Sequence, residues 1–154
     1  MVFFCYLTTI KLHRIDHVGI NVEDLVAAKE FFLELGMEVM GEMDMEGELV
    51  EKVIGLKDVK DRIVMMRIPG GEAMIELVKY YKPVDEKGIQ PSLANTHGMR
   101  HICFAVDDVE GLVAKMKEKG ATLMGEICNY ENLYKLCYMR GPEGIIVELA
   151  EKIG

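Results

Sequence analysis

Apolar and polar positions along this chain change period in a fixed order, and the order occurs twice. Residues 15–21 (IDHVGIN) place Val18 and Ile20 out of phase with His17, Gly19 and Asn21. That period of two predicts a strand with one covered face. Asp24 then stands as a helix N-cap, with Leu25, Ala28 and Phe32 on one helical face and Gly36 as the stop. Three further strands are predicted over 37–43, 62–68 and 73–79, with Pro69-Gly70-Gly71 turning between the last two. The second round begins with a strand over 99–106 and the cap Asp108. It continues with a helix face of Val109, Leu112, Val113 and Met116, the stop Gly120, and strands over 121–127, 134–140 and 145–150. Residues 81–98, with Pro83, Gly88 and Pro91, read as the linker.

The two rounds share residues as well as pattern. Residues 15–42 align with 99–126 without a gap, matching His17 with His101, Asp24 with Asp108, Gly36 with Gly120 and Gly41-Glu42 with Gly125-Glu126. The same interval separates His13 from His97. A second block, 65–78 against 137–150, places Glu76 opposite Glu148 in the repeat. The shorter interval there means that the first unit carries an insertion, read as a short helix and loop over 44–60. Two copies are too few for a solenoid, so the pattern reads as a duplicated domain half.

Composition narrows the class of function. At 154 residues and 50% apolar, the chain reads as one domain over 1–154, with module one over about 11–80 and module two over 99–152. A net charge of −8 without a Lys/Arg cluster argues against nucleic acid or a membrane surface as partner. Cys5, Cys103, Cys128 and Cys137 form no CxxC and read as reduced core thiols of a cytoplasmic protein. No span approaches the ~20 apolar residues that a membrane helix needs. Residues 1–10 read as a tail or edge strand with no functional part.

Strand period then picks out the chemistry. His17 shares a face with Gly19, His101 with Cys103, Glu76 with Met74 and Val78, and Glu148 with Ile146 and Ala150. A glutamate in such an apolar row is costly unless paired or bound to a metal. A duplicated unit can aim both copies at one point, and two histidines so aimed suggest a metal. His13 and His97 lie ~13 Å further along their strands and cannot share that centre. Glu48 and Glu51 read as a solvated helix face, the methionines as adaptable core filling, and Tyr130, Tyr134 and Arg140 as strand packing.

The segments IDHVGINVEDL, GGEAMIELV, MRHICFAVDDV and GPEGIIVEL resemble the vicinal oxygen chelate superfamily over about residues 11–152. That superfamily includes glyoxalase I, methylmalonyl-CoA epimerase, extradiol dioxygenases and bleomycin-resistance proteins. The resemblance implies an α+β fold of tandem βαβββ modules, forming a curved, incomplete eight-stranded barrel around a metal site. It assigns His17, Glu76, His101 and Glu148 as metal ligands, a set similar to that of glyoxalase I. Two neutral imidazoles and two carboxylates make a charge-neutral complex with a divalent ion, and mixed N/O ligation suits Ni, Co, Zn, Mn or Fe. Such a metal stabilises the enediolate formed when a proton leaves the carbon beside a carbonyl, and Glu148 or Glu76 would move that proton. The implied activity is a glyoxalase I-like lyase or isomerase acting on a thiol adduct or an acyl thioester. Alternatives are epimerase-like racemisation, a non-catalytic small-molecule binding protein and an Fe(II) dioxygenase. The resemblance also implies a homodimer, and spacing leaves open whether the four ligands come from one chain or two.

Overall fold

The computed structural model describes residues 12–90 and 92–154, so the expectation for residues 1–10 lies outside the described residues. The first module runs β1 (His17–Asn21), α1 (Leu25–Glu34), β2 (Glu38–Glu46), α2 (Glu48–Ile54), β3 (Lys60–Arg67) and β4 (Met74–Lys82). The second runs β5 (His101–Val106), α3 (Val109–Glu118), β6 (Thr122–Leu123), β7 (Cys128–Tyr130), β8 (Tyr134–Arg140) and β9 (Ile146–Lys152). The tandem βαβββ plan therefore holds, with α2 as the insertion of module one.

Both long helices form where their caps are. The Asp24 carboxylate accepts from the Ala27 amide at 3.0 Å, and Asp108 accepts from the Gly111 amide at 2.9 Å. Gly36 and Gly120 leave the two helices with positive φ, of 102° and 92°, which a residue with a Cβ rarely adopts. The buried stripes are Ala28, Phe31 and Phe32 on α1, and Val109, Val113 and Met116 on α3.

Each module makes its own curved, unclosed sheet, in the orders β1-β4-β3-β2 and β5-β9-β8-β6, with β7 added beside β8. In each sheet the first and last long strands of the module run parallel, side by side. Among the described residues no strand of one sheet pairs with a strand of the other. The helix-facing side chains of both sheets enter one apolar cluster that includes Phe32, Met66, Leu77, Met116, Met139 and Leu149. Phe32 and Phe104 meet across the modules with ring centroids 6.4 Å apart. The modules are also tied by polar contacts. Glu143, in the turn between β8 and β9, accepts from the Glu23 amide at 2.8 Å and from the Asp24 amide at the start of α1. Lys115 of α3 donates to the Glu34 carbonyl at 2.6 Å.

Three local expectations need correction. The strand over 121–127 is cut to Thr122–Leu123, and a separate strand Cys128–Tyr130 follows. The Gly125-Glu126 step leaves the ladder, and the left-handed Glu131 and Asn132 return the chain so that Cys128–Tyr130 pairs with Tyr134–Leu136. The hairpin of module two is tighter than the aligned sequence suggests: Glu76 faces Met65, whereas Glu148 faces Tyr138. The cysteines are not all core thiols, because Cys103 and Cys128 are exposed and only Cys137 is buried among those described.

Candidate functional site

The remaining face of each sheet, turned away from the helices, carries the chemistry. Alternation along β1 puts His17, Gly19 and Asn21 there, and the parallel register sets His17 beside Met74 and Gly19 beside Glu76. In module two the same register sets His101 beside Ile146 and Cys103 beside Glu148. Each histidine thereby reaches the glutamate on the neighbouring strand. The Nε2–Oε2 separations are 3.8 Å for His17 and Glu76, and 3.1 Å for His101 and Glu148. All four side chains are partly exposed, with the glutamates the more covered at 24% and 17%.

The structure brings these residues together as two pairs, not as one cluster of four. Among the described residues, Asp108, Glu110 and Glu151 are the one group of three or more potential ligands whose atoms lie within 4.8 Å of one another. That group has local duties: Glu110 holds Lys135 at 2.8 Å, Glu151 accepts from the Val109 amide, and Asp108 caps α3. His13 and His97 are exposed and take no part in either pair.

The two pairs differ in their surroundings. The Nδ1 of His17 lies 3.1 Å from Asp16, which in turn holds Arg14 at 3.0 Å. The hydrogen bond from His17, and then that from Arg14, hold the Asp16 carboxyl below the usual carboxylate range. A carboxylate on Nδ1 fixes the tautomer that leaves the Nε2 lone pair free for a ligand. The repeat puts Arg100 where module one has Asp16, so His101 has no such partner. Instead the ring of His101 packs edge-on to Tyr138 at 5.0 Å. Tyr138 and Cys103 flank Glu148: burial first, then the Glu148 charge, push both hydroxyl and thiol up. Beside Glu76 stands Gly19, where an added Cβ would make only an ordinary contact of 3.6 Å with its Oε2.

Further along the same face of module one sits a group that sequence reasoning missed. Asp61 pairs in register with Tyr80 and is the one buried charged side chain among the described residues, at 3% exposure. Its Oδ1 has no hydrogen-bond partner. Burial, then the negative charge of Glu76, push its carboxyl up, and burial, then the charges of Asp61 and Glu76, raise Tyr80. Beside Tyr80, a cavity of about 690 Å³ is lined by Asn21, Leu56, Tyr80, Val84 and Ile89. An alternating strand reads DRIVMMR whether its first residue is covered or not, so no local signal marks Asp61. The insertion α2 has no buried residue, and Leu49 and Val53 are both 77% exposed on it. Glu48 ion-pairs with Lys52 along the helix, and Glu51 accepts from the Asp58 amide. No helix among the described residues is long and apolar enough to cross a membrane.

Known proteins share this architecture. A glyoxalase family protein from Bacillus cereus is 39% identical and superposes with a TM-score of 0.88, over 96% of this chain and 99% of that one. The Bacillus subtilis protein YwbC, itself uncharacterized, is 28% identical over 142 residues, covering 90% of this chain and 98% of that protein. The trypanothione-dependent glyoxalase I of Leishmania major shares the fold at 22% identity, with a TM-score of 0.63 over 91% of this chain and 87% of its own. A sequence model of the Glyoxalase/Bleomycin resistance protein/Dioxygenase superfamily matches residues 14–149. The chain belongs to that superfamily.

Proposed function

We propose that this protein is a metal-dependent lyase or isomerase of the glyoxalase I type, with its centre shared between two copies of the chain. In this reading His17 and Glu76 of one copy face His101 and Glu148 of the second around one divalent ion of the Ni, Co, Zn, Mn or Fe group. The observation that carries it is the pair of repeat-equivalent His–Glu couples, each on an exposed sheet face and each supplying half of a ligand set. A twofold axis brings a surface patch of one copy onto its counterpart, so unlike halves are joined twice and two equal sites result. The donor set fits the group: two imidazoles, each with its Nε2 turned to a glutamate carboxylate, suit a borderline divalent cation.

The metal, when bound, supplies a Lewis acid that polarises a substrate carbonyl. The chain's own residues do the rest. Asp16 orients His17, and Met65 and Val78 beside Glu76 keep that carboxylate in an apolar row. Either Glu76 or Glu148 accepts the proton from the carbon next to the carbonyl and returns it to the neighbouring atom. The substrate is a small thiol adduct or acyl thioester, and racemisation of an acyl thioester uses the same proton transfer. The free cysteines support residence in the reducing cytoplasm.

Mixed dimers test the shared centre. A chain carrying His17→Ala and Glu76→Ala, and a second carrying His101→Ala and Glu148→Ala, are each expected to be inactive alone. Mixed one to one after reversible dissociation, half the dimers pair unlike chains and hold one intact site of two. About a quarter of wild-type activity should then return. The assays are isomerisation of the methylglyoxal–glutathione adduct and solvent deuterium exchange into methylmalonyl-CoA, and metal content is read in parallel. No recovery, or a protein that takes up no metal, overturns the reading.

A further inference from the structure

The hairpin of module two departs from the repeat by one residue, and the departure decides what stands beside Glu148. The repeat aligns Cys137 with Met65 and Tyr138 with Met66. Met66 is a core side chain, so the alignment predicts a core position for Tyr138 too. In the fold Tyr138 instead faces Glu148, as Met65 faces Glu76, while Cys137 and Met139 take the core positions on either side of it. A shift of one residue exchanges the two faces of a strand. It brings the Tyr138 ring to the side of the His–Glu couple.

The rows around the two glutamates therefore differ in chemistry. Gly19, Glu76 and Met65 lie side by side across β1, β4 and β3, and neither neighbour has a proton to donate. Cys103, Glu148 and Tyr138 lie side by side across β5, β9 and β8, with a thiol on one flank and a phenol on the other. A phenol at neutral pH offers a carboxylate its O–H. The Glu148 charge, after burial, helps to push that hydroxyl up. The same side chain also meets the histidine: the rings of Tyr138 and His101 stand edge-on, 5.0 Å apart and at 79°. Edge-to-face packing sets one ring against the other, because a positive edge meets a negative face. His17 has Asp16 on its Nδ1 instead, a partner that the repeat denies to His101. The couple that Tyr138 flanks is the closer one, at 3.1 Å against 3.8 Å.

We infer that Tyr138 is the positioning residue of module two, its ring setting the plane of His101 and its hydroxyl holding the Glu148 carboxylate. Module one divides that work differently: Asp16 orients the histidine and nothing holds the glutamate. The inference rests on the proposed function in treating the couple as half of a metal centre, whereas the packing that carries it needs no metal.

The test begins with chelator present. An edge-on phenol displaces the proton signals of a neighbouring imidazole, and the histidine C–H resonances of the full-length protein can be read one by one, with His101 identified by its loss in His101→Ala. Wild type is expected to show the His101 signals displaced from those of the exposed His13 and His97. Tyr138→Phe should keep that displacement, and Tyr138→Met, which copies module one, should lose it. Cobalt(II) titration then reads the hydroxyl. Tyr138→Phe should weaken cobalt binding about tenfold and Tyr138→Met up to about a hundredfold, each with an altered d–d absorption spectrum, while the exposed Tyr130→Phe changes neither. If Tyr138→Met fails to fold, cobalt affinity and spectrum of Tyr138→Phe carry the test. His101 signals alike in wild type and Tyr138→Met, or a Tyr138→Phe that binds cobalt as tightly as wild type, overturn the inference. Wild type that takes up no cobalt sinks the proposed function instead, and the histidine signals still decide whether Tyr138 sets the ring of His101.

Discussion

Replacing Asp61 with asparagine should stabilise this protein, and the gain should depend on pH. Asp61 is 3% exposed, its Oδ1 has no partner, and no cation pairs with it among the described residues. Burial, then the charge of Glu76, raise its carboxyl pKa above the ordinary value. A carboxyl whose pKa is higher in the folded chain holds its proton more tightly there than in the unfolded chain. Its contribution to stability is therefore fully present below the unfolded pKa of about 3.9, and is lost as pH rises through the folded value. At neutral pH the native state carries a buried, uncompensated polar group. Asparagine keeps the polar oxygen but cannot ionise, and removing the ionisation of one such buried group is worth about 1–3 kcal/mol, or a rise in Tm of roughly 3–10 °C for a chain of this size. Thermal and urea melts of wild type and Asp61→Asn between pH 4 and 8 read the difference directly. The carboxylates held low by neighbouring cations, such as Glu34 and Glu42, cancel in that difference. A variant that melts below wild type at pH 7, or a gain that does not shrink toward pH 4, would refute the reasoning.

The module junction supplies further predictions. Gly141→Ala should destabilise by about 1–3 kcal/mol, because the new Cβ would lie 2.7 Å from the Phe31 ring. Gly→Ala at an unstrained, roomy position usually stabilises by about 0.4–1 kcal/mol instead, so urea midpoints of the variant decide the sign. Phe32→Ala, in a fully buried side chain that meets Phe104, should cost about 3–5 kcal/mol by the same assay. A loss under about 1 kcal/mol would mean that the apolar cluster shared by the modules is not what joins them.

The sequence by itself determined most of the local elements and which side chains share a strand face. Asp24 and Asp108, with Gly36 and Gly120, mark the ends of α1 and α3 through backbone groups that only nearby residues can satisfy. The strand period put His17 in phase with Gly19 and Glu76 with Met74 and Val78, whereas the parallel register that sets His17 near Glu76 and His101 near Glu148 joins strands far apart in the chain and came only with the fold. Only the tertiary structure decided how the modules meet. Helix-to-sheet packing joins them through Phe31, Phe32 and Phe104, which leaves the two His–Glu couples on separate sheets, a partition that no spacing encodes. It also decided what covers Asp61. Periodicity tells which way a side chain points along its own strand, whereas burial and charge balance depend on neighbours far away in the chain. The tighter hairpin that sets Tyr138 beside Glu148 shows the same limit, because a shift of one residue changes every cross-strand partner.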